Sequence, residues 1–209
     1  MNNLDDLPDI CGLNLPTKQF TTTAKIDPCA MRVKLRRSTS LKMKEKKARE
    51  LVETLPEPGE AIHLVSSGIF DYWTLVPVIV EMLGGHVKES RFSTWAMTMP
   101  VCKQFIEMIQ GQKLGECGFI ADRSLQRMQG PVYAQIVGEF LKNDFPFRVT
   151  KCHAKIALLH MDDDWIVIEG SANFTNNPRI EQMVILNDRS VYEFHKAWMA
   201  EIFNALTHE

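Results

Sequence analysis

Residues 153–173 read HAKIALLHMDDDWIVIEGSAN, and this stretch decides both the predicted fold and the predicted chemistry. It opens with His153 and Lys155, and fifteen residues after Lys155 it reaches GSAN at 170–173. Alternate residues of a strand share one face of a sheet, so the two side chains are predicted to project side by side. The acidic turn at 162–164 separates two apolar halves and predicts a hairpin, which returns residues 170–173 to the end of the sheet where His153 lies.

The residue types in this cluster suit a phosphate. A lysine ammonium (Lys155) and an amide (Asn173) hold phosphoryl oxygens without titrating near neutral pH. The neutral imidazole of His153 can attack phosphorus, and the Ser171 hydroxyl can support the ligands. Taken alone, the pair His153 and Lys155 is typical of surface residues, and the GSAN sequence at 170–173 is typical of an ordinary turn. Joined by a hairpin and followed by Glu181, the two halves indicate phosphoryl transfer, where positioning and charge stabilisation dominate.

Length and composition place the chain among ordinary globular proteins. Its 209 residues, 45% hydrophobic and 24% charged, suffice for one sizeable domain. No apolar run approaches the ~20 residues that span a bilayer, and the acidic start MNNLDDLPDI lacks a signal pattern, so a cytoplasmic protein without a membrane partner is expected. Free thiols are predicted at the scattered cysteines Cys11, Cys29, Cys102, Cys117 and Cys152.

The formal net charge of −2 conceals a strong asymmetry. Residues 31–50 hold nine Lys or Arg and two Glu, a local charge of +7, so the rest of the chain carries −9. Such a segment attracts polyanions, although a charge run alone is equally typical of a solvated helix face. The predicted nucleic-acid-binding side chains are Arg32, Lys34, Arg36, Arg37, Lys42, Lys44, Lys46 and Lys47.

Turn-forming residues and hydrophobic periodicity divide the chain into two parts. Residues 1–30 predict an irregular arm or an added strand, and 41–55 predict a charged helix that ends before Pro56. The PEPG sequence at 56–59 marks a boundary, which gives an N-terminal arm at 1–58 and a compact domain at 59–209.

Strand-like and helix-like segments alternate in the compact domain. Helices are predicted at 69–83, 98–111, 131–141 and from Ser190, as the first residue of a capping box, to about Leu206. Strands are predicted at 61–66, 86–95, 113–121, 147–161, 165–169 and 180–186. The alternation predicts an α/β fold in which helices flank a mixed β-sheet.

The pattern His153-x-Lys155…Gly170-Ser171-x-Asn173 resembles the HKD motif of the phospholipase D superfamily, and the α/β pattern of 60–209 is similar to one domain of that fold. The resemblance implies a phospholipase D-like sandwich and a reaction without metal or cofactor. In this family a histidine attacks phosphorus to form a phosphohistidine, and a second motif's histidine protonates the leaving group and then activates water.

Carried over by position, the resemblance implies a role for each residue of the cluster. His153 is the implied nucleophile or acid, Lys155 and Asn173 are implied phosphate ligands, and Ser171 supports them. Glu181 resembles the family's downstream acidic residue, which orients the partner imidazole.

One position departs from the family pattern. The family has an aspartate five residues after the lysine, where this chain has His160. We predict that His160 is a polar hairpin residue and not a second catalytic base. Whether this replacement abolishes activity is a question that the sequence leaves open.

The motif occurs once in the chain, so a single chain holds half of the expected site. Single-motif members of the family form homodimers, in which two histidines face each other across a two-fold axis. A homodimer is therefore expected, with one imidazole neutral and the other protonated.

The function predicted first is a metal-independent nuclease that acts on DNA or RNA, with sequence-independent and salt-sensitive binding. The alternative is a catalytically weak or inactive phospholipase D-like module that binds nucleic acid or a protein assembly. A third interpretation, a phospholipid headgroup hydrolase, is less favoured because the sequence has no basic amphipathic helix with aromatic residues.

Overall fold

The computed structural model describes residues 37–175 and 179–205, with side chains from Lys42 onward. The predicted irregular arm at 1–30 and the basic residues Arg32, Lys34 and Arg36 lie outside this part of the chain. None of the described helices is long and apolar enough to cross a membrane.

Helices and strands alternate along the described chain, as the sequence predicts. The helices are α1 (Arg37–Val52), α2 (Tyr72–Met82), α3 (Met99–Gln110), α4 (Arg123–Met128), α5 (Gly130–Lys142) and α6 (Arg189–Asn204). The strands are β1 (Ala61–Ser66), β2 (Val87–Thr94), β3 (Leu114–Asp122), β4 (Phe147–Thr150), β5 (Ile156–Met161), β6 (Asp164–Gly170) and β7 (Glu181–Asn187).

The strands form one mixed sheet in the order β1-β7-β6-β5-β2-β3-β4. The pairs β2–β3 and β3–β4 are parallel, and the other neighbours are antiparallel. It follows that β1, β6, β2, β3 and β4 end at the same edge at which β5 and β7 begin. We call this edge the site edge. The mixed sheet flanked by helices confirms the predicted fold class.

Both faces of the central strands are buried. On one face a cluster of fully buried aromatic rings, namely Trp73, Phe92, Phe105, Phe119 and Phe174, packs beneath α2, α3 and α5. On the other face α6 covers a smaller cluster that includes Ile156, Leu158 and Tyr192. A strand buried on both faces appears in sequence as a continuous apolar run, and residues 156–159 of β5 are such a run.

Side-chain caps decide where several helices begin. Asp71 Oδ1 accepts from the Thr74 backbone N–H at 3.2 Å, and Thr74 Oγ1 accepts from the Asp71 backbone N–H at 3.4 Å. This capping box starts α2 at Tyr72, three residues later than the periodicity predicts. At α6 the prediction that Ser190 begins the capping box is wrong. Asp188 caps this helix by accepting from the Val191 N–H at 3.0 Å.

Two other sequence predictions differ from the structure. Helix α4 was not predicted, because its six residues carry no apolar period. The segment 147–161 was predicted as continuous β-structure and is split into β4 and β5, which have β2 and β3 between them in the sheet. The reason is that β4 pairs with β3, whereas β5 pairs with β2, so residues 151–155 must cross the site edge between them.

Helix α1 packs on α2 and buries Ala48 and Val52 in the main core. The segment after it is tethered to the end of β7, where Asn187 Nδ2 donates to the Pro56 carbonyl oxygen at 3.0 Å and the Gly59 N–H donates to the Asn187 carbonyl oxygen at 2.7 Å. The division of the chain at residues 58–59 stays a prediction.

Candidate active site

The residues predicted to carry chemistry lie at the site edge. The sheet direction places there the end of β6 with Gly170 and Ser171, the start of β7 with Glu181, and the segment that leads into β5 with His153 and Lys155. The hairpin between β5 and β6 produces this arrangement, since its register pairs Ile156 with Glu169.

His153 and Lys155 are in direct contact. Lys155 Nζ lies 2.8 Å from His153 Nδ1 and 3.3 Å from Nε2, and it donates to the His153 carbonyl oxygen at 2.6 Å. The prediction that both residues belong to a strand is wrong, because β5 begins at Ile156. The contact instead comes from the irregular segment, over which the lysine side chain folds back. An imidazole and a cation are thus held within hydrogen-bonding distance of each other.

Lys155 is a buried cation with only 5% of its surface exposed. Burial lowers the pKa of Lys155, and the nearby Cys152, Glu181 and Asp122 oppose this shift. A buried ammonium group carries a large desolvation cost, which a bound anion would offset. The environment of Lys155 therefore suits an anionic ligand.

Ser171 joins the end of β6 to the start of β7. Its hydroxyl donates to a carboxylate oxygen of Glu181 and accepts from the Gln182 N–H at 3.2 Å. The Ser171 N–H donates to the Gln182 carbonyl oxygen at 3.1 Å, which extends the β6–β7 pairing past Gly170. Glycine is required at position 170, because a Cβ atom there would lie 2.4 Å from the Gln182 carbonyl oxygen. The structure thus brings Ser171 and Glu181 together at the site edge.

Asn173 is positioned by the residue that follows it. Phe174 is fully buried, stacks on Tyr72 at 5.2 Å, and donates its N–H to the Ala96 carbonyl oxygen at 3.1 Å. Within the described residues, Asn173 Oδ1 is buried without a hydrogen-bond partner. Leaving a buried acceptor unpaired costs about 1–3 kcal/mol, so a donor from a bound ligand or from ordered water would stabilise this oxygen.

Two residues that the sequence interpretation missed hold the His153 segment in place. Asp122 Oδ2 accepts from the Cys152 N–H at 2.9 Å, and Ser93 Oγ donates to the Ala154 carbonyl oxygen at 3.1 Å. Burial opposes ionisation of Asp122, but hydrogen bonds from Ser124 and Cys152 outweigh it and lower its pKa. The available signal was an aspartate directly after the predicted strand at 113–121.

His160 lies at the opposite end of β5 from the candidate site. Its ring stacks on Trp165 with centroids 3.8 Å apart, and Nε2 lies 3.1 Å from the Asp162 carbonyl oxygen. The two rings belong to residues that face each other across the β5–β6 hairpin. His160 is therefore a polar hairpin residue, as predicted, and it lies at the end of β5 remote from the site edge.

The predicted nucleic-acid-binding residues separate into different environments. Lys44 Nζ pairs with Asp71 Oδ2 at 3.0 Å and is largely buried, whereas Lys46 and Lys47 are exposed beside Glu50. Lys42 is also exposed, and the side chain of Arg37 is outside the described part of the chain. Nucleic-acid binding by all of these residues stays a prediction.

Neither a family model nor a curated protein sequence matches the chain. Solved structures match at low identity. Nuc from Salmonella typhimurium, described as a phospholipase D family member, is 18% identical with a TM-score of 0.47, covering 69% of this chain and 95% of Nuc. NucT from Helicobacter pylori is 14% identical with a TM-score of 0.48, covering 68% of this chain and 96% of NucT.

Polyphosphate kinase from Porphyromonas gingivalis is 12% identical with a TM-score of 0.51, covering 72% of this chain and 27% of the kinase. At such identities the similarity concerns the fold alone. The seven-stranded mixed sheet, the helices on both faces and the hairpin that leads from one site segment to the other agree with the fold that the motif predicts. The chain has a phospholipase D-like α/β fold.

Proposed function

We propose that this protein is a phosphodiesterase of phospholipase D type that hydrolyses the backbone of DNA or RNA without a metal ion. The observation that carries the proposal is the contact between the buried Lys155 ammonium and the His153 imidazole, 2.8 Å apart, at the edge where Ser171 and Glu181 also lie. Asn173 follows the end of β6 at the same edge, and its buried Oδ1 has no hydrogen-bond partner among the described residues.

The proposed reaction has two displacements at phosphorus. In the first, a nitrogen of one His153 attacks, an N–P bond forms, and the P–O bond to the leaving group breaks while His153 of a second copy donates its proton to the departing oxygen. In the second, that imidazole, now neutral, removes a proton from water, which attacks phosphorus and releases the first His153. Lys155 holds the non-bridging oxygens and stabilises the charge that develops on them.

We propose that the second histidine comes from another chain, because this sequence holds the motif once. Exposed apolar side chains near the site edge support a homodimer. Val65, which faces Gln182 across the β1–β7 pair, is 70% exposed, and Ile180, directly before Glu181, is 77% exposed. We propose that a second copy of this chain covers the apolar surface of Val65, Ile69 and Ile180, which would place the two site edges close together.

A nuclease assay in EDTA tests the function. The wild-type protein should cleave DNA or RNA oligonucleotides with excess chelator, and His153→Ala should abolish cleavage. His86→Ala is the matched control, since His86 is an exposed histidine just before β2, at the opposite end of the sheet, and its loss should leave the rate unchanged. Equal cleavage rates for wild type and His153→Ala would refute the proposed role of His153, and absence of cleavage by wild type would refute the nuclease and favour the non-enzymatic binding module.

A further inference from the structure

Trp95 stands apart from the three other tryptophans of the chain. Trp73 is buried in the main core, and its indole N–H donates to Gln104 Oε1 at 2.8 Å. Trp165 and Trp198 pack against the cluster under α6. Trp95 is half-buried and belongs to neither cluster. Its packing therefore does not explain its presence.

Within the described residues, His153 is the aromatic neighbour of Trp95. The two ring centroids are 6.1 Å apart, with 57° between the ring planes. No hydrogen bond of the Trp95 indole N–H is found in the same part of the chain. A large planar side chain thus borders the imidazole that we propose as the nucleophile.

The backbone on both sides of Trp95 is fixed. On one side, Thr94 is fully buried and its hydroxyl donates to the Ala96 carbonyl oxygen at 3.0 Å. On the other, the Ala96 carbonyl oxygen also accepts the Phe174 N–H, and the Met97 N–H donates to Gln129 Oε1 at 3.1 Å. The backbone that carries the Trp95 ring is accordingly held in place, and the ring lies beside His153.

An aromatic ring on a fixed backbone beside the proposed phosphate site matches one feature of a nucleic acid, the planar base next to the scissile phosphate. Base–aromatic stacking tolerates every sequence, because each base has a π-face. In a duplex both faces of a base are already stacked, so a base must be unpaired to reach such a ring. A phospholipid headgroup offers no planar ring to Trp95.

We infer that Trp95 stacks on an unpaired base beside the phosphodiester held by His153 and Lys155, and that the substrate class is single-stranded nucleic acid. This inference rests on the proposed function and deepens it. Trp95 is then a substrate-binding residue that favours single strands over duplexes.

The test compares Trp95→Ala, Trp95→Phe and the control Phe194→Ala, an exposed aromatic on α6. Substrates are a labelled single-stranded oligonucleotide, its duplex, and a strand of the same length with abasic residues. Stacking is worth about 1–3 kcal/mol per base, so Trp95→Ala should lower kcat/KM on the normal strand about 5- to 150-fold. It should leave the rate on the abasic strand unchanged, Trp95→Phe should retain most activity, and the control should match wild type.

A readout of binding accompanies the rates. Single-stranded oligonucleotide should quench the tryptophan fluorescence of wild type, and most of this quenching should be lost in Trp95→Phe. Equal loss on normal and abasic strands, or equal wild-type rates on single strands and duplexes, would overturn the inference while the proposed nuclease stands. Absence of cleavage of any oligonucleotide, or turnover of phosphatidylcholine vesicles instead, would overturn the proposed function and this inference with it.

Discussion

The ammonium group of Lys155 lies 2.8 Å from Nδ1 of His153 and donates at 2.6 Å to the carbonyl oxygen of the same residue. This geometry fixes the lysine over the imidazole and buries it, with Glu181 and Asp122 near enough to favour its charged form. A cation held in this way is pre-organised for an anion, because little reorganisation is needed when the anion binds.

Replacing Lys155 by methionine should lower kcat/KM for a phosphodiester substrate about 10²- to 10³-fold, the range found when one pre-organised donor is removed from an active site. The side chains are similar in length, so the variant should remain folded. Steady-state kinetics and a thermal melt measure the two effects. A folded Lys155→Met protein with wild-type kcat/KM would remove Lys155 from the mechanism.

Stability should depend on pH through the same group. Burial lowers the pKa of Lys155 below its ordinary 10.5, so between the two values the unfolded chain binds more protons than the folded one. The free energy of unfolding contributed by Lys155 should therefore rise with pH in that window and stay constant below it. Urea titrations of wild type and Lys155→Met across this pH range give the free energy of unfolding of each protein. The wild-type value minus the Lys155→Met value is the contribution of Lys155 to stability. If this difference in the free energy of unfolding fell as the pH rose, it would contradict the burial of a charged lysine.

Gly170 and Gly138 offer a matched pair of substitutions. At position 170 a Cβ atom would meet the Gln182 carbonyl oxygen at 2.4 Å, whereas at position 138, inside α5, nothing lies within 4 Å. Gly170→Ala should lower the free energy of unfolding by about 1–3 kcal/mol, because backbone must move. Gly138→Ala should raise it by about 0.5–1 kcal/mol through helix propensity. Denaturant unfolding measures both, and equal effects would show that β6 and β7 are not packed as described.

The part of the site that the β5–β6 hairpin brings together was predictable from sequence, since one turn returns residues 170–173 to the edge at which β5 begins. The contact between His153 and Lys155 was expected from strand alternation, but it is made by the irregular segment before β5. Features that depend on distant contacts were not. Helix α4 starts because the Asp122 side chain accepts from the Ser124 N–H, and the same carboxylate accepts from Cys152, thirty residues away. No pattern of neighbouring residues in the sequence predicts a contact between residues that are so far apart in the chain. Trp95, following a buried strand, looks in sequence like one more core aromatic.

His160→Asp restores the residue that the family has at this position. Because His160 stacks on Trp165 at the end of β5 remote from His153, the substitution should change kcat/KM by less than about threefold. It should lower the free energy of unfolding by about 0.5–1.5 kcal/mol through loss of the ring stack. Kinetics and denaturant unfolding on one preparation separate the two effects. A large gain in activity would mean that the aspartate takes part in catalysis from a distance.

Ile180→Asp tests the proposed dimer surface. An aspartate in a buried apolar contact is strongly unfavourable, so the variant should sediment as a monomer. Its nuclease activity should fall in proportion to the fraction of dimer that is lost. Leu141→Asp, on α5, is the control, since Leu141 is 78% exposed and Ile180 is 77% exposed. Analytical ultracentrifugation measures the mass and the nuclease assay the rate. A wild-type monomer with activity linear in protein concentration, or an active Ile180→Asp monomer, would exclude a site shared between two chains.

Replacing different lysines of α1 should have different effects, on the stability of the protein in one case and on nucleic-acid binding in the other. Lys44 pairs with the carboxylate that caps α2, so Lys44→Gln should lower stability and leave the salt dependence of oligonucleotide binding unchanged. Lys46 and Lys47 are exposed, and the double variant Lys46→Gln/Lys47→Gln should weaken binding. If both contact phosphates, it should reduce the slope of log K against log salt by about 1.4 for a single strand. Fluorescence anisotropy at several salt concentrations gives this slope, and an unchanged slope in the double variant would show that nucleic acid does not contact this face of α1.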